Sequence, residues 1–202
     1  MIGMGIKVGI TGGIGSGKSY VARIFKTMGI SFYDADQEAK LLMSDDLEIR
    51  NGLLAAFGPE VYQQDGALDR KWLALQVFED REKLHVLNAI VHPVVIKHGR
   101  AWAERQTAPY SLKEAALLVE SGSYKELDCL ILVSAPEEVR IDRVMKRDDV
   151  SREEVIKRID KQMPEAEKEK HAQFIIINDG VKPLLPQVLQ IHNQILEREW
   201  SK

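Results

Sequence analysis

The sequence predicts an α/β fold, with a five-stranded parallel sheet between helical layers. An apolar run, a glycine-rich turn, a helix-period segment and a second apolar run succeed one another at the N-terminus, which makes one βαβ unit. Farther along, short apolar runs alternate with amphipathic stretches, the pattern of strands buried on both faces. A long helical excursion interrupts this alternation.

Ile6–Thr11 reads as the first strand and Ser19–Met28 as the first helix, with Val21, Ile24, Phe25 and Met28 on one side and Gly29 as its stop. Ile30–Tyr33 is the second strand, closed by Asp34-Ala35-Asp36. Helix-period residues then recur over Asp46–Phe57, Asp69–Phe78 and Asp80–Arg105, separated by Gly58-Pro59 and Asp65-Gly66, with Pro93 expected to end or kink the third of these helices. Ala115–Val119 and Leu130–Val133 read as further strands, with a short segment at Ser121–Glu126 between them. Pro136–Lys146 and Ser151–Met163 are charge-rich helices, the second opened by a capping box of Ser151 and Glu154. Phe174–Ile177 is the last strand and Leu184–Trp200 the last helix.

With 202 residues, 45% of them apolar and 29% charged, the chain has the composition of a soluble globular domain with a sizeable core. A net charge of −3 speaks against general nucleic-acid binding. No apolar stretch is long enough to span a bilayer, and the N-terminus lacks the features of a signal peptide, so a cytoplasmic protein without a membrane partner is expected. Cys129 is the only cysteine, which excludes an intrachain disulfide, and it reads as a small buried hydrophobe.

The chemistry begins at Gly12-Gly13-Ile14-Gly15-Ser16-Gly17-Lys18-Ser19, which satisfies the phosphate-loop pattern G-x-x-x-x-G-K-[ST] between a strand and a helix. A loop that wraps a triphosphate must aim backbone N–H groups inward, which glycine permits. The following helix adds its own free N–H groups. Lys18 is placed to reach the β- and γ-phosphates, and Ser19 to offer its hydroxyl to Mg²⁺. The guanine-reading N-K-x-D and the D-x-x-G of nucleotide switches are absent, and neither Ser134 nor Glu120 supplies the strand-end aspartate of many P-loop ATPases. These features favour a small-molecule kinase of the P-loop NTPase type, a three-layer α/β/α core with added lobes.

Asp34 and Asp36 follow the second strand at its carboxyl end, where a doubly wound sheet binds ligands. A carboxylate there can orient an attacking hydroxyl and accept its proton. Either residue could instead cap the next helix. The residues alone leave Asp34 open, whereas Asp36 projects from inside the helix and favours function.

Taken together, Thr11–Ser19, Gly29-Ile30 and Asp34-Ala35-Asp36 resemble the dephospho-CoA kinase family. The resemblance continues through Leu68-Asp69-Arg70, Val77-Phe78, Leu87–Pro93, Leu117-Leu118-Val119-Glu120, Arg143, Arg147, Gln162 and Asn178-Asp179-Gly180, nearly the whole chain in order. It implies a nucleotide core (about 1–36, 108–139 and 171–202), a helical acceptor-binding insert (about 37–107) and a lid (about 140–170). It implies Mg-dependent transfer of a phosphoryl group from ATP to the ribose 3′-hydroxyl of dephospho-CoA, the last step of coenzyme A synthesis. Asp36 would be the catalytic carboxylate, and Arg143 and Arg147 the lid arginines on the transferring group. Gly12–Ser19 and Tyr20 would bind the nucleotide, and Asp34, Lys40, Arg70, His92 and Glu120 the acceptor. The chain departs from the family where Tyr20 replaces a threonine, Lys40 an arginine, Ala116 a proline and Gln173 an aspartate. Lys40 keeps the charge but loses bidentate geometry.

The other polar and aromatic signals read as structural. Trp72, Trp102 and Trp200 suit core packing, and His85, His98, His171 and His192 form no metal pattern. His92-Pro93 reads equally as a helix break or an approach to the acceptor. Glu165–Lys170 reads as a solvated helix face, and of Arg140, Arg143, Arg147, Arg152 and Arg158 no more than two or three are expected to meet phosphate. Two alternatives stand beside the leading reading: a kinase for another small metabolite or a nucleoside monophosphate, and a non-catalytic nucleotide-gated adaptor. Oligomeric state leaves no trace in the sequence.

Overall fold

A computed structural model of the chain describes residues 5–78 and 80–197. Strands β1 (Ile6–Thr11), β2 (Ser31–Asp34), β3 (Tyr110–Glu114), β4 (Cys129–Ser134) and β5 (Phe174–Ile177) form one parallel sheet in the order β2-β3-β1-β4-β5. The central strand β1 therefore delivers the phosphate loop to the middle of the sheet's carboxyl edge.

Alternate residues of the strands face opposite sides. Val8, Ile10, Leu112, Ile131, Val133 and Ile176 form one core with Val21, Ala22 and Phe25 of α1 (Lys18–Thr27) and Val188, Ile191 and Ile195 of α9 (Leu184–Glu197). Each of these Val, Leu, Ile and Phe side chains contributes about 1.5–3 kcal/mol on burial. Cys129 lies in this core at 1% exposure. On the other face Leu130 packs with Leu118 and Val119. The end of the expected Leu184–Trp200 helix, Trp200 included, lies outside the described residues.

The chain divides into two compact units, one comprising the chain up to Asp34 and from Ala103 onward, the other Ala35–Trp102. In the second, α2 (Ala35–Asp45), α3 (Leu47–Phe57), α4 (Arg70–Phe78) and nearly all of α5 (Arg81–Glu104) carry buried Ile49, Leu53, Leu73, Val91, Val94 and Val95. Asp46 caps α3 by accepting the N–H groups of Glu48 and Ile49 at 2.9 and 3.0 Å. Pro93 does not end α5. The helix runs through it, because Val91, Val94, Val95 and Gly99 lie on one buried stripe spanning the proline. Trp72 and Trp102 are half-buried rather than core residues, since the aliphatic side chains of this unit fill its interior.

The third strand is Tyr110–Glu114, not Ala115–Val119; residues 116–120 form turns. Tyr110, Leu112 and Glu114 alternate inward, whereas the apolar run behind them lets the turn's Leu118 and Val119 cover β4. A short apolar run does not distinguish a strand from a buried turn by itself.

In the first unit, α6 (Glu137–Asp148) and α7 (Arg152–Ile159) pack through Ile141, Val144 and Val155, and the capping box of Ser151 and Glu154 opens α7. Asp149, at φ 53°, turns the chain between them. The segment Glu165–Lys170 is not a wholly solvated face. Within it, α8 (Glu165–Glu169) buries Lys168 to 1% exposure, with its Nζ 2.6 Å from Glu120 Oε1. Burial is tolerable for this lysine because the carboxylate meets it. Lys168→Met should destabilise the protein by about 2 kcal/mol, because it strands the Glu120 charge. Adding Glu120→Gln should recover more than half of that loss in chemical denaturation.

Candidate active site

At the end of β1 the chain passes through Gly12–Gly17 into α1. Gly15 and Gly17 have φ of 79° and 86°, the left-handed region that glycine alone adopts at little cost. A Cβ at Gly15 would also collide with the Arg140 carbonyl, and one at Gly17 with the Asn178 amide. Gly17 caps α1 with no side-chain hydrogen bond, so the orphan N–H groups of that helix start are left to an anion.

Groups outside the loop hold its shape. Asn178 Nδ2 donates to the Ser16 carbonyl at 2.7 Å, and the Ile14 N–H donates to Gln162 Oε1 at 2.9 Å. Arg143 donates from Nη1 to the carbonyls of Gly15 and Asn178 at 3.4 and 3.0 Å, and from Nη2 to Asn178 Oδ1 at 3.3 Å. A cavity of about 450 Å³ opens on the loop, lined among others by Lys18, Ser19, Tyr20, Arg143, Arg147 and Gln162. Its cations and open N–H groups suit a polyphosphate.

Glu114 completes this floor, and the sequence reading missed it. Only 3% exposed, it accepts a hydrogen bond from the Ser19 hydroxyl and lies 3.5 Å from Lys18 Nζ. The sequence reading ended the third strand at Glu120; the carboxylate that ends β3 beside the loop is Glu114, hidden by placing the strand too late in the chain. The alternation of Tyr110, Leu112 and Glu114 was the available signal, and Lys113 broke the apolar run that would have announced it. Asp34 sits opposite Glu114 on the neighbouring strand.

The predicted site residues divide between the two units. Gly12–Tyr20, Asp34, Arg143, Arg147 and Glu120 belong to the first. Glu120 faces Lys168 and also accepts the Met163 N–H at 3.4 Å. Arg140, Arg152 and Arg158 are ion-paired with Glu165, Glu138 and Asp148, and Arg147 also pairs with Asp148; of the α6–α7 arginines, Arg143 and Arg147 line the cavity. Asp36, Lys40, Arg70 and His92 belong to the second unit. Asp36 and Lys40 are exposed on α2, Arg70 donates to the Lys40 carbonyl at 2.6 Å, and His92 is half-buried within α5.

For a divalent metal, the Ser19 hydroxyl and the Glu114 carboxylate form an all-oxygen donor set, and Glu114 Oε2 is buried without a hydrogen-bond partner among the described residues. That chemistry fits Mg²⁺, a hard cation that takes few protein ligands.

Burial pushes the Glu114 carboxyl above its usual 4.5; the Ser19 hydrogen bond and Lys18 oppose this, and the Asp34 charge reinforces it. A carboxyl with a raised folded-state value favours the folded state below its unfolded value, and that contribution is lost as pH rises through the folded one. In the nucleotide-free protein, the melting temperature of Glu114→Gln minus that of wild type should therefore rise as pH increases from about 4 toward neutrality.

Comparison with known proteins places this architecture. The model of the family described as dephospho-CoA kinase matches residues 6–183. A dephospho-CoA kinase of Bacteroides fragilis is 42% identical over 189 residues, 93% of this chain and 92% of the relative. Among solved structures, a Thermus thermophilus protein superposes with a TM-score of 0.84 at 39% identity, covering 96% of this chain and 99% of that one. A dephospho-CoA kinase from Campylobacter jejuni gives a TM-score of 0.69 at 25% identity, covering 95% and 97%. The family match runs from the first strand past the Asn178 strap and covers most of the chain, so the chain belongs to the dephospho-CoA kinase family.

Proposed function

We propose that this chain transfers the γ-phosphoryl group of ATP to the ribose 3′-hydroxyl of dephospho-CoA, giving coenzyme A and ADP. The observation that carries the reading is the strapped phosphate loop, with Lys18, Ser19, Arg143 and Arg147 lining one cavity in a chain of this family.

The acceptor oxygen forms a bond to the γ-phosphorus while the bond from that phosphorus to the β,γ-bridging oxygen breaks, and ADP leaves. The proton of the hydroxyl passes to a carboxylate, which we assign to Asp36. The loop's N–H groups and Lys18 hold the β- and γ-phosphates, and Arg143 and Arg147 neutralise charge that develops on the transferring group. Such a reaction asks the protein mainly for alignment and charge. Mg²⁺, held through Ser19 and supported by Glu114, would supply further neutralisation of the phosphate oxygens.

Asp34, beside Glu114, would position the acceptor ribose. Lys40, Arg70 and His92 would contact the acceptor, Lys40 as a point charge. Glu120 is engaged with Lys168 and would support the site through the segment 162–168. Among the described residues no helix is long and apolar enough to cross a membrane, which supports a reading as a cytoplasmic enzyme.

The test is ADP release with Mg-ATP against a panel of acceptors: dephospho-CoA, nucleoside monophosphates and shikimate. Stimulation by dephospho-CoA alone is the expected result, and stimulation by another acceptor without it would overturn the assignment. Lys18→Ala and Asp36→Asn should each lower turnover at least about a hundredfold, the scale of losing a charge-stabilising or proton-accepting group. Wild-type turnover in Asp36→Asn would move the carboxylate role to Asp34.

A further inference from the structure

The two cavity arginines of α6 are held in opposite ways. Arg143 rests on carbonyl oxygens, those of Gly15 and Asn178 and the Asn178 amide, so its partners carry no formal charge and its own charge remains available. Arg147 is clasped by a carboxylate: its Nε donates to Asp148 Oδ1 at 2.7 Å and its Nη2 to Oδ2 at 3.0 Å. A bidentate clasp neutralises the guanidinium and fixes its plane. The same Oδ2 accepts from Arg158 Nη1 of α7 at 2.8 Å, so one carboxylate serves two arginines. Asp149, in the left-handed conformation, follows at once and turns the chain so that α7 presents Arg158 to the end of α6.

Asp148 engages Nε and Nη2 of Arg147, so turning that fork fully onto a polyphosphate means leaving Asp148, which then keeps Arg158. All three side chains are partly solvated, at 61%, 25% and 43% exposure for Arg147, Asp148 and Arg158, so each pairing is weak enough to exchange. We propose that Asp148 is a positioning residue that restrains Arg147 in the nucleotide-free protein, and that Arg158 is the counter-cation that lets Arg147 go. The inference rests on the proposed contact between Arg147 and the nucleotide's phosphates. It makes the recruitment of Arg147 a competition between two anions, with Arg158 setting the odds: without Arg158 the whole field of Asp148 falls on Arg147.

The test measures the dissociation constant of a non-hydrolysable ATP analogue with Mg²⁺, by calorimetry on the full chain. Asp148→Asn should tighten binding about threefold, and Arg158→Met should weaken it about threefold, the scale of an exposed ion pair. A simple change in net charge would give the same two signs, and the combinations separate it. In Asp148→Asn with Arg158→Met, release predicts the tightened value of Asp148→Asn alone, whereas additive charge effects predict a return to wild type. In an Arg147→Met background, Asp148→Asn should change nothing. A thermal melt checks folding, since a purely structural role for the cluster would lower stability and weaken binding in both single variants. If Arg147→Met itself leaves affinity unchanged, the proposed phosphate contact and this inference fall together. If Arg147→Met weakens binding but the Asp148 and Arg158 variants shift it in the same direction or additively, the inference alone is overturned.

Discussion

A phosphate loop must be rigid before its ligand arrives, because its N–H groups are useful only if they already converge. The loop's own glycines make the necessary conformations accessible, and Gly15 and Gly17 adopt them. Glycine also leaves the chain free to adopt others, at a cost in conformational entropy on folding. Rigidity therefore comes from outside: Asn178 holds the Ser16 carbonyl, Gln162 the Ile14 N–H, and Arg143 the Gly15 carbonyl. These straps come from after β5, from the segment following α7 and from α6. The sheet order supports the arrangement, since β4 and β5 lie to one side of central β1, and their ends lead into α6 and to Asn178.

On the other side of β1, the same logic applies to charge. Glu114 ends β3 next to the loop and receives both the Ser19 hydroxyl and the Lys18 cation. A buried carboxylate is costly alone, and the Ser19 hydroxyl and the half-buried Lys18 offset part of that cost at Glu114. The two arginines that α6 sets on the cavity wall then differ in how they are restrained, one by neutral carbonyls and one by a carboxylate. A site of this kind presents part of its positive charge at rest and holds part of it in check.

The reading from sequence succeeded where local chemistry is self-contained. The loop motif, the βαβ unit, the capping box of Ser151 and Glu154, and the burial of Cys129 all rest on short spacing rules or local hydrophobicity. It failed where meaning depends on a partner distant in the chain. Glu114 looked like an ordinary charged residue because its value comes from Ser19 and Lys18, about a hundred positions earlier. Lys168 looked solvated because nothing nearby in sequence announces Glu120. Pro93 looked like a break because propensity ignores the buried stripe that carries α5 across it. Gln162 and Asn178 belonged to the family resemblance, yet only the fold gives them a physical task.

The central claim is that the γ-phosphoryl group held by this loop goes to a ribose hydroxyl rather than to water. Phosphorus NMR of a mixture of the protein, Mg-ATP and dephospho-CoA tests it directly. The account predicts a new phosphomonoester signal matching coenzyme A, growing in equal amount with ADP and with little free phosphate. ADP accompanied only by inorganic phosphate would contradict it.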